Sequence, residues 1–203
     1  MGMFGYFRRR RAADRSESTN SPLPHLAERE QHVRDFAVAV VDQPRQADIE
    51  DAQRLFTLVS DPNTGKAVAS VPEIIRNDQG WLLLAKKNDE TVGAAFLVID
   101  ADAILEARKQ GHVVIAEFLC ERVRMLDLLA VDEAHRHDRI GETLVGHAEG
   151  VAVGQGATCV NLIFEPKPLL EKFYRRLGYE ILKPGEPLPI EETHRWAGRV
   201  VGD

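Results

Sequence analysis

Cysteine is scarce in this chain of 203 residues, where Cys120 and Cys159 stand alone and far apart. That excludes a disulfide framework and a CxxC metal knuckle. Both are read as reduced thiols of a cytoplasmic protein. Long apolar runs are missing too, and none approaches the ~20 residues of a membrane-spanning helix. The N-terminus carries Arg8, Arg9, Arg10 and Arg11 but lacks the apolar stretch of a secretory signal. Gly2 follows Met1, yet Tyr6 stands where a myristoylation pattern wants Ser or Thr. Positive charge is in short supply, with a formal net charge of −6. Residues 1–31 hold six arginines against four acids, which leaves −8 for the remainder. An acidic body argues against nucleic acid as the main partner and fits a cationic or amine-bearing substrate. The arginine run is read as a solvated tail rather than a lipid or nucleic-acid site.

What remains is ordinary globular material, 44% hydrophobic and 29% charged, enough for one domain with a tail. Residues 1–31 have no apolar periodicity and run into SESTNSPLP, which predicts a disordered tail ahead of a folded body over 32–203. DFAVAVVD (35–42) predicts a strand, and DIEDAQRLFTLV predicts a helix with Ile49, Ala52, Leu55, Phe56 and Val59 on one face. A second helix is expected around 66–75. WLLLA and TVGAAFLVI, joined by the polar KKNDE, predict a hairpin. Residues 101–114 are expected to form a short helix and loop. VRMLDLLAV (123–131) and ATCVNLIF (157–164) read as buried strands flanking a helix with Ile140, Leu144, Val145, Ala148, Val151 and Ala152 in a stripe. Pro168 opens a further helix that stops at Gly178, and YEIL and HRWAGRVV predict the last strands. The strand–helix–strand unit over 123–164 implies a right-handed crossover and a parallel pair. The fold class is therefore α/β, or α+β with a mixed sheet: about six to seven strands flanked by about four helices.

The segment HRHDRIGETLVGHAEG, from His135 to Gly150, holds the chemistry. Read as a metal site, His135, His137 and Asp138 would be the ligands. Arg139 and Ile140 then stand where a metallo-hydrolase pattern wants Asp and His, and the Arg139 cation would repel a metal ion. Read as an anion site, the same stretch offers the bare amides of a helix start at the positive end of its dipole. Gly141 in the first turn lets a phosphate approach the backbone, and Arg136 and Arg139 add charge-assisted donors. The anion reading has the better mechanism, and no metal is expected.

VDEAHRHDRIGETLV resembles the acyl-CoA motif of the GNAT superfamily of N-acetyltransferases. Val131 matches the strand end, Arg136 the arginine and Gly141 the last small residue; Arg139 replaces the first glycine, and Glu133 sits where proline is common. FYRRLGYE (173–180) resembles the family's closing motif, with Tyr174 at the position of its tyrosine. An asparagine often found near that helix start is missing, and Lys167 stands there. The resemblance implies a GNAT-like acyl-CoA N-acyltransferase fold over 32–203, with acetyl-CoA as cosubstrate. It implies that the amides of His137, Asp138, Arg139, Ile140, Gly141 and Glu142 wrap the coenzyme pyrophosphate. The backbone of Leu129, Ala130 and Val131 would pair with the pantetheine arm in a gap between two splayed strands. Tyr174 would protonate the departing thiolate; a core residue of an amphipathic helix is the structural alternative. Some family members place a Glu base where this chain has Met125. Strand alternation puts Asp127 on the face of Met125, which makes it the first candidate base. A structural carboxylate, pairing with Arg124 or serving a bulge, is the alternative there, and Glu165 is the second candidate. The expected acceptor is a primary amine of a small molecule or peptide. A catalytically weak acyl-CoA sensor or partner module of the same fold is the competing function. Monomer and homodimer both stay open.

Overall fold

β-Branched and aliphatic runs form seven strands: β1 (Ala37–Val41), β2 (Gly80–Lys87), β3 (Glu90–Val98), β4 (Val123–Val131), β5 (Cys159–Phe164), β6 (Glu180–Leu182) and β7 (Arg195–Val200). Amphipathic segments form six α-helices among the described residues: α1 (Gln46–Val59), α2 (Thr64–Arg76), α3 (Ala101–Lys109), α4 (Val113–Arg122), α5 (Ile140–Gly154) and α6 (Pro168–Arg176). The computed structural model describes residues 36–41, 44–59, 64–182 and 194–202. The expected tail over 1–31 and the expected start of the body at 32 lie outside the described residues.

The strands make one mixed sheet in the order β1-β2-β3-β4-β5-β7-β6. Every neighbouring pair is antiparallel except β4 and β5. One face is covered by α5, whose Ile140, Leu144, Val145, Ala148 and Ala152 pack on Leu83, Ala95, Leu97, Leu126, Val160 and Leu162. The other is covered by α1 and α2, where Ala52, Leu55, Phe56, Val68 and Val71 meet Leu82, Leu84, Ala94, Phe96, Leu128 and Ala130. β2 and β3 thus bury both faces, which is why their sequences run apolar without alternation. No helix among the described residues is long and apolar enough to cross a membrane.

The count of about four helices is corrected to six. Residues 101–112 form the expected short helix, α3, and its turn, and a further helix, α4, follows from Val113 to Arg122. VVIAEFLCER carries its apolar residues nearly all round, so its periodicity gives no helical stripe. Its inward side is narrow: Ala116 is buried, and Leu119 and Cys120 pack on Ile104 and Ala107.

Close approach of α5 to the sheet depends on Gly93. A β-carbon there would lie 2.7 Å from Ile140 Cγ2 and 3.1 Å from Leu144 Cδ1. Since Ile140 and Leu144 are fully buried, neither can swing aside freely. Gly93→Ala is expected to destabilise the fold by about 1–3 kcal/mol, read as a lower midpoint in urea denaturation. Unchanged stability would mean that α5 is free to shift.

Candidate functional site

The site begins where β4 loses one neighbour. β3 pairs with β4 along its length, from Val98↔Met125 to Gly93↔Val131. β5 pairs with β4 at only three rungs, Val123↔Cys159, Arg124↔Val160 and Met125↔Asn161. Both strands continue, so they splay apart beyond Met125. From Leu126 to Val131 the β5-facing edge of β4 has no ladder partner, and unpaired main-chain donors and acceptors are a ready template for an added strand. Leu129, Ala130 and Val131 lie on this open stretch. At the base of the gap, Asn161 is buried and its Oδ1 has no hydrogen-bond partner. α1 is tied to the open end of β4, with Arg54 donating to the Thr91 carbonyl at 3.0 Å and reaching Asp132 at 3.9 Å.

Beyond Val131 the chain makes a 3-10 turn, Glu133–His135, started by the Asp132 side chain accepting from the Ala134 amide. α5 then starts at Arg139, whose φ of +60° puts it in the left-handed region. This is the position where the family motif has glycine, and arginine adopts the glycine conformation there. Among the described residues, the amides of His137, Arg139, Ile140 and Gly141 donate to no backbone carbonyl. The Asp138 amide differs from expectation: it is engaged, donating to the His135 carbonyl at 3.1 Å. A β-carbon on Gly141 would meet Phe173 and Val131 at 3.6 Å, ordinary contact. The fold itself therefore does not require glycine at this position.

His135 Nδ1 and Asp138 Oδ2 meet at 3.1 Å, Lys87 Nζ joins them at 3.3 Å, and His137 is exposed. Arg139, which the sequence placed as an anion donor, binds Glu142, with Nε at 3.0 Å from Oε2. Arg176 of α6 reaches the same carboxylate at 3.8 Å. Arg136 is half exposed and lies 3.8 Å from Glu133.

Tyr174 sits on α6 in an aromatic cluster, with ring centroids 5.0 Å from Phe164, 5.0 Å from Phe173 and 5.7 Å from Tyr179. It is 6% exposed, and burial pushes its hydroxyl up to about 12. It therefore carries its proton at neutral pH, as a donor must. Tyr174 thus holds the core position weighed from sequence.

Asp127 sits in a bulge of β4. Phe96 pairs with Leu128 and Leu97 with Leu126, so Asp127 is an extra residue in β4. This bulge resets the alternation. Met125, Leu128 and Ala130 face the α1–α2 core, whereas Leu126, Leu129 and Val131 face α5. Asp127 therefore cannot be assigned to the Met125 face by counting. Nor does it pair with Arg124, whose guanidinium lies 5.6 Å from the Trp81 ring and donates to the Cys120 and Val123 carbonyls. Asp127 is half-buried, and burial, with the charge of Asp100, pushes its carboxyl up to about 6. Glu165 is half-buried and pairs with Lys167, which occupies the place of the missing asparagine.

The acetyltransferase (GNAT) family model matches residues 47–179. The chain belongs to the GNAT acetyltransferase family. Membership makes it an acyltransferase by family and fold. Solved GNAT structures agree with the mixed sheet and its flanking helices. Ard1 from Thermoplasma volcanium superposes with a TM-score of 0.59 at 16% identity, over 83% of this chain and 99% of that one. An aminoglycoside 6'-N-acetyltransferase complexed with coenzyme A gives 0.58 at 17%, over 82% and 98%. PaiA N-acetyltransferase from Thermoplasma acidophilum, also with coenzyme A, gives 0.53 at 13%, over 81% and 99%. At these identities the likeness is one of fold. No curated protein sequence matches the chain.

Lys87, Asn161 and Asp100 escaped sequence reading. Lys87 and Asp138 are 51 positions apart, and one charge in a polar turn gives no sign of its partner. Asn161 in an apolar strand was the one visible signal, as a lone polar residue in ATCVNLIF.

The raised Asp127 carboxyl has a stability consequence. An ordinary aspartate titrates near ~4, so between about pH 4 and the folded value of about 6 the native state binds the extra proton. Stability is lost as pH rises through that window, and the loss is complete above it. Asp127→Asn is thus expected to raise the melting temperature at pH 7.5 and to give no gain below about pH 4. Thermal unfolding at both pH values checks this, and a lowered melting temperature at pH 7.5 would count against the desolvated carboxylate.

Proposed function

We propose that this protein is an N-acetyltransferase that moves an acetyl group from acetyl-CoA to a primary amine by direct attack. One observation carries the reading: the parallel pairing of β4 and β5 stops at Met125 and Asn161, under a helix start that presents unengaged amides. The two halves suit the two ends of an acyl-coenzyme. The open edge at Leu129, Ala130 and Val131 suits the amide-bearing pantetheine arm. The amides of His137, Arg139, Ile140 and Gly141 suit the diphosphate, with Arg136 as an added cation. Complexes of two structural neighbours with coenzyme A support this assignment.

Holding amine and thioester in one cleft supplies much of the acceleration by converting an encounter into an internal step. Main-chain N–H groups on the open edge of β4 polarise the thioester carbonyl. Tyr174 keeps its proton at neutral pH and donates it to the departing sulfur. The attacking amine, with a free pKa near ~10.4, must first lose a proton. Asp127, titrating near 6, is matched to that task at neutral pH, directly or through water. Glu165 is held by Lys167 and is the weaker candidate. The net charge of −6 and the aminoglycoside-acetylating neighbour favour a cationic small-molecule or peptide amine as acceptor. The two free, half-buried thiols fit a reducing cytoplasm.

Tyr174→Phe is expected to lower turnover by roughly 10²-fold while coenzyme A affinity holds, measured as thiol release from acetyl-CoA over a panel of amines. An unchanged rate removes Tyr174 from the chemistry. Calorimetry of the purified chain with coenzyme A tests the reading itself, and no detectable binding ends it.

A further inference from the structure

The loop ahead of α5 carries a carboxylate in the middle of a proposed anion cradle. Asp138 lies between His137 and Arg139, whose amides point to no backbone partner. An uncompensated negative charge there would repel a diphosphate across a few ångströms. The structure shows how that charge is met. Lys87 Nζ lies 3.3 Å from Asp138 Oδ2, and His135 Nδ1 lies 3.1 Å from the same atom. The other loop cations are turned elsewhere, Arg139 to Glu142 and Arg136 to Glu133. These bonds hold the Asp138 carboxyl below the usual carboxylate range, His135 contributing most and Lys87 next.

Lys87 is well anchored for this task. It ends β2 and pairs with Glu90 across a two-residue turn, in which Asn88 has φ +50° and Asp89 has φ +66°. Two successive left-handed residues are the signature of the tight hairpin turn that matches strand twist. The ammonium is therefore delivered from a rigid element, with only 27% of its side chain exposed.

We propose that Lys87 is a positioning residue for the coenzyme: its ion pair with Asp138 cancels the negative charge inside the diphosphate cradle. This rests on the coenzyme reading above. Lys87 touches no substrate in this scheme; it acts through Asp138.

Calorimetry of coenzyme A binding to the full chain tests it, with Lys87→Met, Lys87→Arg, Asp138→Asn and the Lys87→Met/Asp138→Asn double variant. Lys87→Met is expected to weaken binding about tenfold, the size of one uncancelled charge near a polyanion. Lys87→Arg should bind like the wild type. The double variant should recover most of the loss, because removing the carboxylate removes the need for its partner. A tether that only stabilised the fold would show no such recovery. Lys87→Met binding at wild-type affinity, or a double variant as weak as Lys87→Met, overturns the proposal while leaving the coenzyme reading intact. Absence of binding by the wild type overturns both. Should Lys87→Met fail to fold, Asp138→Asn decides: affinity at or above wild type supports the proposal, and a loss overturns it.

Discussion

β4 cannot satisfy two neighbours along its whole length. It is paired with β3 from Met125 to Val131, and its ladder with β5 closes after three rungs. Everything at the site follows from that mismatch. The unpaired edge between Leu126 and Val131 is a row of backbone groups left without a protein partner, which a folded chain tolerates only where solvent or a ligand can reach them. The crossover from β4 through α5 to β5 adds the second half, since a right-handed parallel connection brings the start of α5 to the open end of the strands. A cleft lined by main chain and capped by a helix N-terminus is thus built into the topology before any particular side chain is chosen.

Electrostatics then refines the cleft. Arg139 holds a conformation that is costly for a side chain with a β-carbon, by about 1–3 kcal/mol for a strained residue. Its two-point contact with Glu142 holds it there, and Arg176 links that carboxylate to the helix bearing Tyr174. On the other side, Lys87 links Asp138 to the β2–β3 hairpin. Isolated surface pairs contribute little to stability. Their importance here lies in where they hold the loop, between two rigid elements.

Motifs with fixed short spacing were legible in the sequence. The stripe from Ile140 to Ala152 is a buried helix face, and Gly178 ends α6 with a φ of +88°. Arg139 was readable as a residue forced into a glycine conformation because its neighbours match a loop whose shape is known. Two kinds of feature were not legible. One is register: a single extra residue opposite Phe96 and Leu97 reverses the faces, so counting along β4 from Met125 fails beyond the bulge. The other is pairing at long range. The partner of Asp138 lies in a turn half a hundred positions upstream.

By itself the sequence determined most element types, the parallel crossover and a helix start with bare amides, because these depend on local periodicity and on turn chemistry within a few residues. Only the tertiary structure decided how far β4 and β5 stay paired, where β4 bulges, and which cation faces which carboxylate. Those depend on register and on contacts between distant segments, and a chain has no local property that encodes a distance between strands.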